Sequence, residues 1–314
     1  MAGHPREDDL RMAEVSLSPR EGDVPALGPH GFTKIAYVEW GPKDAKQVVM
    51  CVHGLTRNAR DFDLLAKRLA GRGMRVVCPD LPGRGRSAWI TTPSDYATPL
   101  YLAAMAAVIS RTGAEVIDWV GTSLGAYVGM EMAAVTEAPI RRLVLNDFGA
   151  RVSGQALQRM GAYMRLKRRF ATLDELEQHF RSIHAPFGKL TDAQWQHMAK
   201  HSAVKTPEGD FAQHYDPAIG RNFQWPLMVD VGLWHVWEKV TCPVLVLRGE
   251  ESDLLHASTV REMQQRGAAA KKNLVRAVEV RGCGHAPALM SDAQISLIEE
   301  FLDSDKGARR ANAA

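Results

Sequence analysis

Glu115-Val116-Ile117-Asp118-Trp119-Val120-Gly121-Thr122-Ser123-Leu124-Gly125-Ala126-Tyr127-Val128-Gly129-Met130-Glu131-Met132-Ala133-Ala134 is the stretch whose reading decides the fold. It opens as an apolar strand, turns through a G-x-S-x-G pentapeptide and continues as a helix. Such a turn is sharp enough to hold Ser123 in a strained backbone conformation, and Gly121 and Gly125 keep neighbouring side chains out of its way. Held there, with its oxygen above a sheet and at a helix start, a serine is placed to attack a carbonyl; the plainer role for a serine before a helix is an N-cap. Gly125, Gly129 and Ala133 recur at helical spacing, so one face of the helix is small enough to lie close against the sheet.

Working outward, apolar β-branched runs alternate with helical stretches. Lys34–Trp40 alternates polar and apolar residues as a half-buried strand does, and Gln47–Val52 follows as a second strand ending in His53-Gly54. A helix over about Asp61–Ala70 is closed by Gly71 and Gly73. Met74–Cys78 is a third strand, followed by Pro79-Asp80-Leu81-Pro82-Gly83, and Asp95–Ser110 reads as a helix. Arg142–Asp147 is the strand after the serine helix. Strands separated by helices of this length imply parallel crossovers and a doubly wound α/β sheet.

From about Gly149 to Trp237 the rhythm changes. No strand pattern is evident, and the helical stretches Leu173–His184 and Asp192–His201 are broken by Pro186, Pro207, Pro217 and Pro226. Alternation resumes at Pro243–Leu247 and ends with Val278–Val280 and a helix over Asp292–Leu302. The expected organisation is an N-terminal arm over 1–30, a core over 31–148 and 238–304, a helical cap over 149–237 and a flexible tail over 305–314. No internal repeat interrupts it.

A serine hydroxyl needs a base, and the base needs an orienting carboxylate. Gly282-Cys283-Gly284-His285 puts a histidine in a glycine-rich loop after the last strand, and Arg248-Gly249-Glu250-Glu251-Ser252-Asp253 puts carboxylates after the strand before it. The expected set is Ser123, His285 and Asp253, with Asp147, at the end of the preceding sheet strand, as the alternative acid; Glu250 and Glu251 are close by. A developing oxyanion needs two fixed N–H donors, expected to be the backbone amides of Leu124 and Leu55, while His53 braces the Leu55 loop.

These residues resemble the α/β-hydrolase superfamily. The likeness covers about 31–147 and 237–302 and rests on His53-Gly54, Asp80-Leu81-Pro82-Gly83-Arg84-Gly85-Arg86-Ser87, Gly121–Gly125, the Arg248-Gly249-Glu250 loop and Gly284-His285, in the order nucleophile, acid, histidine. The resemblance implies a mostly parallel sheet of about eight strands with a helical cap after the sixth. Among activities it implies esterases, lactonases, C–C bond hydrolases of vinylogous diketo acids and cofactor-free perhydrolases. Haloalkane dehalogenases and epoxide hydrolases look similar but carry aspartate where this chain has Ser123. The expected reaction is hydrolysis of a carboxylic ester or lactone of a small to medium, partly apolar substrate through an acyl-enzyme; a ligand-binding receptor on the same fold is the different-class alternative.

Composition bounds the rest. The chain has 314 residues, 46% of them hydrophobic, ample for a buried core. A net charge of +3 gives no argument for nucleic acid, and Arg165, Lys167, Arg168 and Arg169 read as a solvated helix face. No apolar run approaches the ~20 residues of a membrane span. The polar N-terminus and four unpaired cysteines, Cys51, Cys78, Cys242 and Cys283, fit a reduced cytoplasmic protein. No metal or organic cofactor is expected: His197 and His201 lie four apart on a helix but lack the H-E-x-x-H glutamate, and Gly83–Ser87 lacks the phosphate-loop pattern. Phe148, Trp225 and Trp234 are candidate pocket residues, within an aromatic group that includes Phe223 and Trp237. Oligomeric state is not readable.

Overall fold

The computed structural model describes residues 18–164, 166, 168–223 and 229–311, with residues 223 and 304–311 described by backbone alone. At its centre is an eight-stranded sheet: β1 (Arg20–Gly28), β2 (Gly31–Trp40), β3 (Val48–Val52), β4 (Arg75–Pro79), β5 (Ile117–Thr122), β6 (Ile140–Asn146), β7 (Val244–Gly249) and β8 (Val275–Val280). Their spatial order is β1-β2-β4-β3-β5-β6-β7-β8. The pairs from β4 to β8 are parallel, and β2 joins β4 and β1 antiparallel. The five residues of β3 and of β4 are all buried, as expected for strands covered on both faces.

Helices α1 (Asp63–Ala70), α2 (Thr98–Thr112), α3 (Leu124–Ala133), α7 (Ala257–Met263) and α8 (Asp292–Ala311) belong to this layered core, and α4 (Gly154–Met164), α5 (Leu173–Ile183) and α6 (Asp192–Ser202) lie in the long connection between β6 and β7. One apolar cluster includes Trp119, Leu143, Val246 and Met105, a second includes Leu65, Leu69, Val49 and Ile298, and a third, Phe170, Leu176, Phe180, Trp195 and Met198, lies in the β6–β7 connection. Helix α3 comes very close to the sheet. A Cβ on Gly125 would lie 1.9 Å from the Val52 carbonyl oxygen, and one on Gly129 would lie 2.2 Å from Trp119 Nε1.

Four expectations are corrected. The arm over 1–30 contains β1, a nine-residue edge strand paired along its length with β2; its Pro25 is tolerated because an edge strand has one unpaired side. The stretch 149–237 is not purely helical. Phe211–Gln213 pairs antiparallel with Arg169–Phe170 and with Ala203–Lys205, and Val231–Gly232 pairs with Arg151–Val152. Strands of two or three residues are too short to show alternation. Of the supposed basic helix face, Arg165 and Lys167 lie outside the described residues, and Arg169 sits in a short strand with its guanidinium on Glu208 at 2.7 Å. The C-terminal helix continues to Ala311 instead of giving way to a tail at 305; residues 312–314 lie outside the described residues. Among the described residues no helix is long and apolar enough to cross a membrane.

Because the β3 carbonyl leaves no room for a methyl group, Gly125→Ala is expected to lower stability by about 3 kcal/mol, the upper range of overpacking changes. Urea unfolding at neutral pH reads this directly, and an unchanged midpoint would contradict the close approach.

Candidate active site

Ser123 sits between β5 and α3 with φ 52 and ψ −112. Positive φ is strained for a residue with a Cβ, of order 1–3 kcal/mol, and must be held by its surroundings. Three observed features do so. The Ser123 N–H donates to the Asn146 carbonyl at 2.9 Å, its carbonyl accepts from Tyr127 N–H at 2.9 Å, and Gly121 and Gly125 pack where side chains would collide.

The Ser123 Oγ lies 2.8 Å from His285 Nε2, and His285 Nδ1 lies 2.7 Å from Asp147 Oδ2. Loop positions explain the meeting. Parallel register carries β5, β6 and β7 to one end of the sheet, with Thr122 opposite Asn146 and Asn146 opposite Leu247. Asp147 follows directly at φ 56, and its N–H donates to Leu247 O at 2.8 Å. Gly249 and Gly284 let the loops after β7 and β8 touch, since a Cβ on Gly249 would lie 2.2 Å from the Gly284 carbonyl.

The carboxylate beside His285 is therefore Asp147, and the expectation of Asp253 there is corrected. Asp253 is turned outward, its side chain 51% exposed and paired with Arg159, whereas the Asp147 side chain is 0% exposed. Asp147 Oδ1 accepts from Gly249 N–H at 2.9 Å and Oδ2 accepts from the Ser252 hydroxyl at 2.6 Å. Glu250 accepts from Gly282 N–H and so braces the His285 loop. Ser252 was not anticipated. A hydroxyl three residues past a strand end is too common a pattern to signal its partner.

His53 is buried, and its two ring nitrogens are both occupied. Nε2 accepts from the Leu81 N–H at 2.9 Å, so Nδ1 carries the proton and donates to the Gly54 carbonyl at 2.7 Å. Burial pushes its pKa down to about 3, with the Arg84 and Arg57 charges adding to the depression and the Gly54 bond opposing it. Arg84, wholly buried, donates from Nε to the Leu55 carbonyl at 2.9 Å. With both carbonyls held, the peptide planes of Gly54 and Leu55 are fixed. In a trans peptide the N–H points opposite the C=O, so the Leu55 N–H is directed away from His53.

A cavity of about 500 Å³ opens over Ser123. The sheet-end loops contribute Gly54–Arg57, Thr122, Gly284 and His285, and the β6–β7 connection contributes Met160, Tyr163 and Ile183–Phe187. The candidate pocket aromatics are elsewhere. Phe148 is buried against Tyr127 with ring centroids 5.6 Å apart, Trp234 lies under the Arg266 guanidinium at 4.5 Å, and neither lines the cavity. Trp225 lies outside the described residues, as does the Phe223 side chain. Trp237 is core, its indole N–H donating to Arg266 O at 2.6 Å.

Among the described residues one group, Asp63, His197 and His201, brings potential metal-ligand atoms within 4.8 Å of one another. Asp63 is already gripped by Arg60, and His197 Nε2 lies 3.0 Å from the Arg60 carbonyl. None of the three lines the cavity over Ser123.

The profile of the Alpha/beta hydrolase family matches residues 49–296. The chain belongs to that family. This hydrolase is 41% identical over 296 residues to a 3-hydroxybutyrate-oligomer hydrolase of Cupriavidus necator, covering 92% of this chain and 99% of the relative. It is 28% identical to Esterase Rv0045c of Mycobacterium tuberculosis over 78% of this chain and 79% of the relative. Among solved structures it resembles a putative hydrolase from Rickettsia typhi at a TM-score of 0.83 and 31% identity, covering 91% of this chain and 99% of the other.

The His53 geometry has a consequence for stability. Its folded pKa of about 3 lies below the ordinary 6.5, so the unfolded chain binds a proton that the folded hydrolase refuses. The contribution is complete above pH 6.5 and is lost as pH falls toward 3. The stability difference between the wild type and His53→Gln should therefore shrink by about 1.4 kcal/mol per pH unit in that window. Parallel curves from urea titrations at pH 7, 6, 5 and 4 would show that the imidazole is not held neutral.

Proposed function

We propose that this hydrolase cleaves carboxylic esters through an acyl-enzyme formed on Ser123, and that its substrates are short oligoesters of hydroxy acids. The observation that carries the reading is the unbroken hydrogen-bonded line from Ser123 Oγ through His285 to Asp147, at the floor of a cavity of about 500 Å³. His285 Nε2 takes the hydroxyl proton as Ser123 attacks the ester carbonyl, and Asp147 keeps the other proton on Nδ1 and stabilises the imidazolium. The Leu55 and Leu124 amides hold the oxyanion. Leu124 is the first residue of α3, where an N–H has no carbonyl one turn back to bond. The imidazolium then protonates the leaving alcohol, and His285 activates a water that releases the acid and regenerates Ser123.

The stretch 149–237 acts as a cap, supplying Met160, Tyr163 and Ile183–Phe187 as the outer wall. Similarity over nearly its whole length to a 3-hydroxybutyrate-oligomer hydrolase supports the substrate class. An oligoester of this kind is small, linear and partly apolar, and its product carries the same hydroxyl and carboxyl groups as its substrate. No step calls on a cofactor.

A fluorophosphonate probe should label Ser123 and fail to label Ser123→Ala, which should also lose hydrolysis of p-nitrophenyl butyrate and of the 3-hydroxybutyrate dimer. Unimpaired turnover by that variant would overturn the mechanism.

The two carboxylates separate in the same assay. Asp147→Asn should lower kcat by about 10⁴-fold, the effect of leaving the wrong imidazole tautomer. Asp253→Asn should stay within about threefold of wild type, since it alters an exposed ion pair at the cavity mouth. The reverse ranking would reassign the acid.

A further inference from the structure

Two buried side chains in the cavity keep hydrogen-bonding capacity that no described protein group uses. His184 lies at the end of α5, its ring stacked on Phe187 with centroids 4.5 Å apart and set edge-on to Phe180 at 5.2 Å. Its Nε2 is buried without a partner among the described residues. Arg57 is also buried. Its Nε and Nη2 donate to Asp61 at 2.8 and 2.7 Å, while Nη1 donates to no acceptor among the described residues. The guanidinium lies over the same Phe180 ring, 5.0 Å from its centroid. One aromatic ring thus carries both groups, and both line the cavity over Ser123.

Their placement relative to the nucleophile matters. A Cβ on Gly54 would lie 3.6 Å from Ser123 Cβ and 3.9 Å from Arg57 Cγ, so the serine and the Arg57 stem both pack against this glycine. Arg159, the other cation lining the cavity, is already paired with Asp253. Arg57 is the more buried of the two cations; it too is paired, with Asp61, but its Nη1 donates to no acceptor among the described residues. His184 Nε2 is a buried polar atom left without a partner among the described residues, which is unfavourable, and a guanidinium edge beside an imidazole matches a carboxylate by donors. Asp61 leaves only part of the guanidinium available, enough for one carboxylate oxygen, with His184 free to donate to the second.

We propose that Arg57 and His184 form a subsite for the free carboxylate of the substrate, so that the enzyme reads the acid end of an oligoester and cuts the ester bond nearest to it. This rests on the ester-hydrolase reading above and adds which end of the chain is recognised. Ser123 and Arg57 flank the same glycine and line the same cavity, which suits an acid in which only a few atoms separate the carboxylate from the scissile ester, as in a 3-hydroxy acid unit. Burial and the Arg57 charge both push the His184 pKa well below its ordinary value. An incoming carboxylate relieves the second of these.

The test compares the 3-hydroxybutyrate dimer as free acid and as methyl ester, with wild type, His184→Phe and Arg57→Gln, each checked for folding by thermal melting. Wild type should favour the free acid by about tenfold or more in kcat/KM, with the difference in KM, and each variant should reduce that preference to about threefold or less. Calorimetric binding of the same two compounds to Ser123→Ala supplies an arm independent of turnover: the acid should bind about tenfold more tightly than the methyl ester. If no ester is turned over but this difference holds, the catalytic reading falls and the subsite stands. Equal handling of acid and methyl ester by wild type, or a preference that survives in both folded variants, overturns the subsite.

Discussion

A buried carboxylate with no solvent must be surrounded by donors, and in this hydrolase the donors that satisfy Asp147 define the site. Three groups point at it: the Gly249 N–H, the Ser252 hydroxyl and His285 Nδ1. They belong to the end of β7, the loop after it and the loop after β8, while Asp147 itself follows β6. One side chain therefore ties three adjacent strand ends together. Removing any donor leaves a charge uncompensated in a place water does not reach, which is far worse than losing an ordinary hydrogen bond. The imidazole orientation follows from that satisfaction of charge, and the distance to Ser123 follows from the orientation.

Small residues do the complementary work of letting elements come close enough for these bonds to form. Gly125 and Gly129 allow α3 to approach β3 and Trp119, which sets the height of Ser123 above the sheet, and Trp119 Nε1 donates to the Gly125 carbonyl at 3.0 Å across that same contact. Gly249 and Gly284 do the same for the two loops around Asp147. Side chains at these places would push the serine and the imidazole apart by more than a hydrogen bond tolerates.

The sheet was largely legible in the sequence because buried parallel strands carry continuous β-branched runs, and the G-x-S-x-G turn marks its own strand and helix. The approach of His285 to Ser123 was legible because both follow strands that end on the same side. Asp147 against Asp253 was not decidable from spacing. Both follow the same end of adjacent interior strands, and what separates them is that Asp147 turns inward at positive φ while Asp253 finds Arg159 in solvent. Edge strand β1 carries Pro25 and three charged residues in nine, so it shows no apolar run of the kind that marks the interior strands. Residue type alone does not place Phe148 and Trp234: Phe148 is buried against Tyr127 and Trp234 lies under the Arg266 guanidinium.

The polar balance of the cavity completes the picture. Around Asp147, His53 and Ser123 every donor that matters for geometry is matched, and the loops are correspondingly fixed. On the cavity wall under the 149–237 stretch the matching stops: Arg57 is half used and His184 holds an unpaired nitrogen. Carboxylates are present on the same cavity wall, since Glu251 and Asp253 line it. Of these, Asp253 is half exposed and held by Arg159. Arg57 is itself paired with Asp61 through Nε and Nη2, which leaves Nη1 as the group available to the proposed substrate carboxylate.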